Sequence, residues 1–98
     1  MCNASVAIQV LPKVEQTSQV VAIVDEVIQY IAGQNLNYFV GPFETVIEGD
    51  YDVLMKIVKE CQKIAVKAGA PSVMSYVKIS YHPNDEGLSI EEKTAKYH

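Results

Sequence analysis

The feature that most constrains this chain is the order in which its hydrophobic spacing changes. Residues 5–11 alternate between apolar and mixed positions, which is typical of a strand covered on one side. Residues 36–40 and 43–48 are predicted as two more short strands, and residues 73–81 alternate again. Two segments between these strands carry apolar residues at helical spacing, namely Val20, Ile23, Val24, Val27, Ile28 and Ile31, then Leu54, Ile57, Val58, Cys61, Ile64, Ala65 and Ala68.

The order strand, helix, strand, strand, helix, strand is that of a split βαβ unit. Right-handed crossovers then place the strands in the order 4-1-3-2. The sequence therefore predicts an α+β, ferredoxin-like fold, with a four-stranded antiparallel sheet and two helices on one of its faces. Its length predicts one domain over residues 1–98.

Several residues are predicted to begin or end these helices and strands. Gly41-Pro42 separates two strands so closely that they must form a hairpin. Thr17-Ser18 is predicted to cap the first helix, and Asp50 or Asp52 the second. Gly33 and Gly69 are predicted to end these helices, and a capping box at Ser89 predicts a short terminal helix over residues 89–96.

Composition and charge narrow the possible partners. The net charge of −4 and the pI of about 5.0 argue against nucleic acid, which requires a basic face. No apolar run approaches the ~20 residues that span a bilayer, so no membrane partner is expected. Cys2 and Cys61 lack the spacing of a metal site, and two reduced thiols are typical of a cytoplasmic protein.

The sequence offers no pattern typical of catalysis. His82 and His98 have no carboxylate partner at a useful spacing, and no serine or cysteine lies in a nucleophile motif. Glu44 and Glu48 share a strand face but lie ~13 Å apart, too far for paired acid–base chemistry. We therefore predict that the protein is not an enzyme.

Two hydroxyl residues are predicted to point from the sheet towards the helices. Thr45 shares its parity with Ile47, and Ser75 lies between Val73 and Val77. Each hydroxyl must find a partner, either in the local backbone or in a small polar cavity. Glu48 has the opposite parity to Thr45, so the two can serve one site only if the strand bends at Gly49 or a neighbouring subunit contributes.

The sheet face away from the helices, called the open face below, carries a mixed surface. It is predicted to expose Leu11, Val46, Met74 and Tyr76 alongside polar residues such as Ser5. Such a surface, together with a long edge strand, favours a homodimer or homotetramer. The alternative is a monomer with a half-solvated sheet.

Three segments carry a resemblance that extends over nearly the whole chain. They are Ala7-Ile8-Gln9-Val10-Leu11-Pro12, then Gly41-Pro42-Phe43-Glu44-Thr45-Val46-Ile47-Glu48-Gly49 with the lysine-rich helix that follows it and ends in Gly69, and then Val77-Lys78-Ile79 with a late Glu92-Lys93. In these segments the chain resembles the small YkoF-like thiamine-binding protein family. The resemblance implies a ferredoxin-like fold, assembly as dimers and tetramers, and non-catalytic binding of thiamine or its hydroxymethylpyrimidine moiety in the cytoplasm.

With that resemblance we predict a ligand-binding site but no bound cofactor or metal. Tyr38, with Phe39 and Phe43, offers aromatic surface for a planar ring. The predicted ligand-binding residues are Thr45 and Glu48 first, then Ser75, Ser5 and Tyr38. The alternative function is an ACT-like regulatory or oligomerisation module that binds another small molecule, in which the core hydroxyls would all be bonded to backbone.

Overall fold

The computed structural model of the protein describes residues 2–83. The elements are β1 (Ala4–Pro12), α1 (Thr17–Ala32), β2 (Asn37–Val40), β3 (Thr45–Gly49), α2 (Tyr51–Lys67) and β4 (Val73–Tyr81). All neighbouring strands are antiparallel, in the order β2-β3-β1-β4, which is the predicted order seen from the opposite edge. The ferredoxin-like prediction is confirmed, while the predicted helix over residues 89–96 lies outside the described residues.

The hydrophobic core lies between the sheet and the two helices. Alternate residues of β1 fill it from one side, and α2 fills it from the other with Leu54, Ile57, Cys61 and Ala65. Helix α1 buries a smaller part of its apolar stripe. Only Ile23, Val27 and Ile31 are buried, while Val20, Val24 and Ile28 stay half-buried.

Strand β1 makes two ladders of unequal length. It pairs with β4 along all nine of its residues, from Ala4 opposite Tyr81 to Pro12 opposite Val73. With β3 it pairs only from Ala4 to Ile8, because β3 begins at Thr45. Residues 9–11 of β1 therefore have a strand partner on one side only within the described part of the chain.

The predicted β2–β3 hairpin is confirmed, and its turn explains why β3 begins two residues later than expected. The backbone N–H of Gly41 donates to the Glu44 carbonyl oxygen at 2.9 Å and closes the turn, so Phe43 and Glu44 are not part of the strand. A Cβ at position 41 would lie 3.0 Å from that same oxygen. The close approach of the two backbones therefore favours glycine here.

The helix ends agree with the predictions, and the helix starts agree only in part. Gly69 follows α2 with a φ of 122°, a conformation that suits glycine. The N-cap of α1 is Gln16, one residue before the predicted Thr17-Ser18 cap, and it makes no side-chain capping bond. Asp50 is the N-cap of α2 as predicted, but its side chain makes no capping bond either.

The start of α2 is instead capped from a distance by Asn3. The Asn3 side-chain Oδ1 accepts the Tyr51 backbone N–H at 2.9 Å, across 48 positions of sequence. The Asn3 backbone also donates to the Gly49 carbonyl at 3.1 Å and accepts from the His82 N–H at 2.7 Å. One residue thus joins the ends of β3 and β4 to the first turn of α2.

Replacing the capping amide of Asn3 tests this arrangement. We expect Asn3→Ala to lower the free energy of unfolding by about 1 kcal/mol, the usual cost of losing an N-cap acceptor. Urea unfolding followed by circular dichroism measures it. Gln16→Ala is the matched control, since Gln16 makes no capping bond. Equal losses in the two variants would contradict a capping role for Asn3.

Candidate ligand-binding site

A cavity of about 220 Å³ lies between α1, the partly paired end of β1 and the β2–β3 turn. We call it the Thr45 cavity. Its walls are mostly aliphatic, and the buried Thr45 is one of the residues that line it. The cavity is lined by Ile8, Gln9, Val10, Leu11, Val20, Val24, Val27, Ile28, Ile31, Val40, Gly41, Pro42, Phe43, Glu44 and Thr45.

Thr45 is a buried residue whose hydroxyl has no hydrogen-bond partner among the described residues. It lies opposite Ile8 in the ladder, on the helix side of the sheet, and is only 6% exposed. No side-chain hydrogen bond involves Thr45 within residues 2–83. No fully enclosed side-chain polar atom in that range lacks a partner, so the hydroxyl must be accessible through the cavity. It is therefore available to a ligand.

The mouth of the Thr45 cavity combines an aromatic ring with a charge. Phe43 is 78% exposed at the tip of the turn. Glu44 contributes the negative charge, and its Oε1 lies 3.3 Å from Nζ of Lys78 on the open face. Because the Lys78 side chain is 76% exposed, solvent screens this ion pair strongly. The mouth therefore suits a planar or cationic group.

Ser75 also points towards the helices, as predicted, but its hydroxyl is already engaged. Its Oγ donates to Oε1 of Gln62 on α2 at 2.6 Å. The Gln62 Nε2 in turn donates to the Val58 carbonyl at 3.1 Å. Ser75 does not line the Thr45 cavity. Its partner is a side chain, which neither of the two sequence-based alternatives had named.

Glu48 and Ser5 lie together on the open face, away from Thr45. They are directly opposite each other in the β1–β3 ladder, and each is 8% exposed. The Asn37 Nδ2 donates to Oε1 of Glu48 at 2.6 Å. Ser80 lies opposite Ser5, so a row of polar side chains crosses all four strands.

Strand β3 is regular through Glu48 and Gly49, so no bend at Gly49 brings Glu48 to Thr45. The two side chains leave opposite faces of the sheet, three residues and ~10 Å apart along the strand. Within one subunit the structure therefore separates the two residues that the sequence ranked first.

The three aromatic residues of the hairpin do not form one cluster. Tyr38 lies opposite Ile47 on the helix side of the edge strand and is 39% exposed. Phe39 points to the open face, where it lies opposite Val46. Of the three, only Phe43 lines the Thr45 cavity.

Other reactive chemistry is sparse in the described part of the chain. Burial, helped by nearby Glu60, raises the pKa of the Cys61 thiol to about 11, so the nucleophilic thiolate is scarce at neutral pH. No group of three or more histidine, cysteine, aspartate or glutamate side chains within residues 2–83 could hold a metal ion. In the same range, neither helix is long and apolar enough to cross a bilayer.

Fold and cavity together define a small ferredoxin-like domain with a cavity of about 220 Å³ between its sheet and α1. The family model described as "Thiamine-binding protein" matches residues 6–98. A UPF0045 protein of Clostridium perfringens is 42% identical over 97 residues, which cover 99% of both chains. The chain therefore belongs to the thiamine-binding protein family.

Two solved structures agree with this assignment. A Streptococcus pneumoniae protein is 44% identical with a TM-score of 0.81, covering 97% of this chain and 99% of the other. A Thermotoga maritima protein, named for a proposed role in thiamine biosynthesis or salvage, is 31% identical with a TM-score of 0.85. That match covers 98% of this chain and 99% of the other.

Sequence reasoning did not identify the aliphatic walls of the site. Val20, Val24 and Ile28 were assigned to the core stripe of α1, but they line the cavity and stay half-buried. One signal was available, since the stripe of α1 is wider than a four-residue edge strand can cover. Residues 9–11 line the cavity because the β1–β3 ladder is short, and no local sequence pattern predicts how long a ladder is.

The different surroundings of Thr45 and Ser75 lead to a test by stability. We expect Thr45→Val to leave the free energy of unfolding within about 0.5 kcal/mol of the parent, because no hydrogen bond is lost. Ser75→Ala should cost about 1 kcal/mol or more, because Gln62 loses its donor. Urea unfolding at one fixed protein concentration measures both. A larger loss in Thr45→Val than in Ser75→Ala would show that the Thr45 hydroxyl is bonded in the free protein.

Proposed function

We propose that this protein is a non-enzymatic, cytoplasmic binding protein for thiamine or its hydroxymethylpyrimidine moiety, with the pyrimidine in the Thr45 cavity. The observation that carries this proposal is the buried hydroxyl of Thr45, which faces a preformed aliphatic pocket without a protein partner. A threonine hydroxyl both donates and accepts hydrogen bonds, so it suits the nitrogens and the amino group of an aminopyrimidine. The family assignment supports the choice of ligand.

The size of the cavity supports the pyrimidine ring as the buried part. Pockets for drug-sized ligands usually have volumes of about 300–1,000 Å³. The Thr45 cavity, at about 220 Å³, suits one substituted ring better than a whole thiamine molecule. The thiazolium ring of thiamine would then lie at the mouth of the cavity.

Charge at the mouth supports the same orientation. Among the described residues that line the cavity, Glu44 alone is charged. Its carboxylate attracts the positive charge of the thiazolium, and the exposed ring of Phe43 offers a face for cation–π contact. The ACT-like alternative predicted core hydroxyls bonded to backbone, and neither Thr45 nor Ser75 has that arrangement.

We assign the open face to assembly with further copies of the chain, as a homodimer or homotetramer. Met74 and Tyr76 of β4 and Phe39 of β2 are each between 44% and 58% exposed there. A self-complementary apolar face is what a two-fold interface requires. Glu48 and Ser5 lie on the same face, but at 8% exposure each offers little surface to a partner copy. The exposed edge of β4 offers a second surface for pairing.

Calorimetric titration tests the ligand. We expect both thiamine and hydroxymethylpyrimidine to bind to the parent protein. Thr45→Val should weaken both by about tenfold, the loss expected when a buried hydrogen bond of about 1.4 kcal/mol is removed.

Thr17→Val is the matched control, because it makes the same chemical change at an exposed position outside the cavity. No heat from either compound at micromolar protein would refute the proposed function. A complete loss of binding in Glu48→Gln with normal binding in Thr45→Val would instead place the site on the open face.

The proposed assembly is tested by a charge placed on the open face. We expect Tyr76→Arg to convert the assembly to a monomer, because an unpaired guanidinium in an apolar interface is costly to desolvate. Sedimentation velocity measures the mass. Val66→Arg on the outer side of α2, where the side chain is 50% exposed, should leave the mass unchanged. A parent protein that sediments as a monomer would refute the assembly.

A further inference from the structure

The end of β1 beside the Thr45 cavity has an unpaired backbone edge. The β1–β3 ladder stops at Ile8, while β1 continues to Pro12 in its ladder with β4. No other strand pairs with residues 9–11 on that side within the described range. In an antiparallel ladder, alternate residues turn both their N–H and their C=O to the same side. At least one residue among 9–11 therefore presents an unused donor and acceptor there.

The cavity touches this edge and not only one face of the strand. Side chains of consecutive residues leave opposite faces of a sheet, and Gln9 and Leu11 point to the open face. Nevertheless Ile8, Gln9, Val10 and Leu11 all line the cavity. These four successive residues have side chains on both faces of the sheet, and yet all of them line the cavity. The cavity therefore runs along the backbone of β1.

We infer that this unpaired edge of residues 9–11 recognises the aminopyrimidine by backbone hydrogen bonds, as an added strand would. The inference rests on the proposed function and specifies which atoms of the ligand the protein recognises by hydrogen bonds. The ring nitrogen next to the amino group accepts from a peptide N–H, and the amino group donates to the C=O of the same residue. Thr45 then holds the ring from the β3 side.

This arrangement distinguishes between ligands by the order of their hydrogen-bond donor and acceptor. The N–H precedes the C=O along the chain, so the pattern cannot be reversed by the protein. A pyrimidine with an oxo group in place of the amino group carries the opposite pattern. Such a ring could form both hydrogen bonds only if it were turned over in the Thr45 cavity. Its ring substituent would then point into the cavity wall and not towards the mouth.

Titration with thiamine analogues tests the inference. We expect oxythiamine, which has the oxo group, to bind at least about tenfold more weakly than thiamine, because buried polar groups would be left unpaired. Pyrithiamine, which keeps the aminopyrimidine and changes only the second ring, should bind within about threefold of thiamine, because only exposed contacts at the mouth change. Equal affinity for oxythiamine and thiamine would overturn backbone recognition and leave thiamine binding intact.

Amide chemical shifts give a second measurement on the protein side. In the ¹⁵N-labelled protein, hydroxymethylpyrimidine should shift the amide signals of residues 9–11 and Thr45. The amide of Gln62, which lies on α2 outside the cavity, should keep its position. Shifts confined to the open face around Glu48 would overturn the inference. Absence of binding by every pyrimidine tested would overturn the proposed function, and this inference with it.

Discussion

The unequal length of the two ladders of β1 is the constraint on which the site depends. A full β3 partner would pair the backbone of residues 9–11 and fill the space that the Thr45 cavity occupies. The turn closed by Gly41 and Glu44 prevents this, because it uses two residues that would otherwise extend β3. The short hairpin thus leaves three features side by side: an aliphatic helix face, a buried hydroxyl and a strand edge that no other strand of residues 2–83 pairs with. None of them alone would make a binding site.

Most of the fold could be predicted because it depends on local periodicity. The alternation of residues 73–81 gave β4 with the bounds that the structure shows, and the spacing from Leu54 to Ala65 gave the buried side of α2. Local patterns are insufficient where a distant residue supplies a contact that a local one could have made. Asp50 has the sequence of an N-cap, yet Asn3 caps α2 through a contact across 48 positions. The cap of α2 thus depends on a long-range contact, whereas its end at Gly69 depends on a local backbone conformation.

The candidate site was predicted less completely, for a related reason. Strand parity places Thr45 on the helix side and Glu48 on the open face, and both placements hold in the structure. Parity cannot say whether a core hydroxyl already has a partner. Ser75 and Thr45 have similar sequence surroundings, but only Ser75 lies within reach of a glutamine on α2. The difference between a structural serine and an available threonine lies in tertiary contacts alone.

The two faces of the sheet can therefore take different functions without interfering. The helix side holds a cavity whose polar features include the Thr45 hydroxyl, one strand edge and Glu44 at the mouth. The open side holds a polar row beside exposed apolar residues, with Glu48 already bonded to Asn37 at 2.6 Å. Because β3 is regular, a substitution at Glu48 acts on one face and a substitution at Thr45 on the other. Turn residues are the exception, since Glu44 lines the cavity mouth and also pairs with Lys78 on the open face. Any coupling between ligand binding and assembly should therefore pass through the turn, and not through the centre of the sheet.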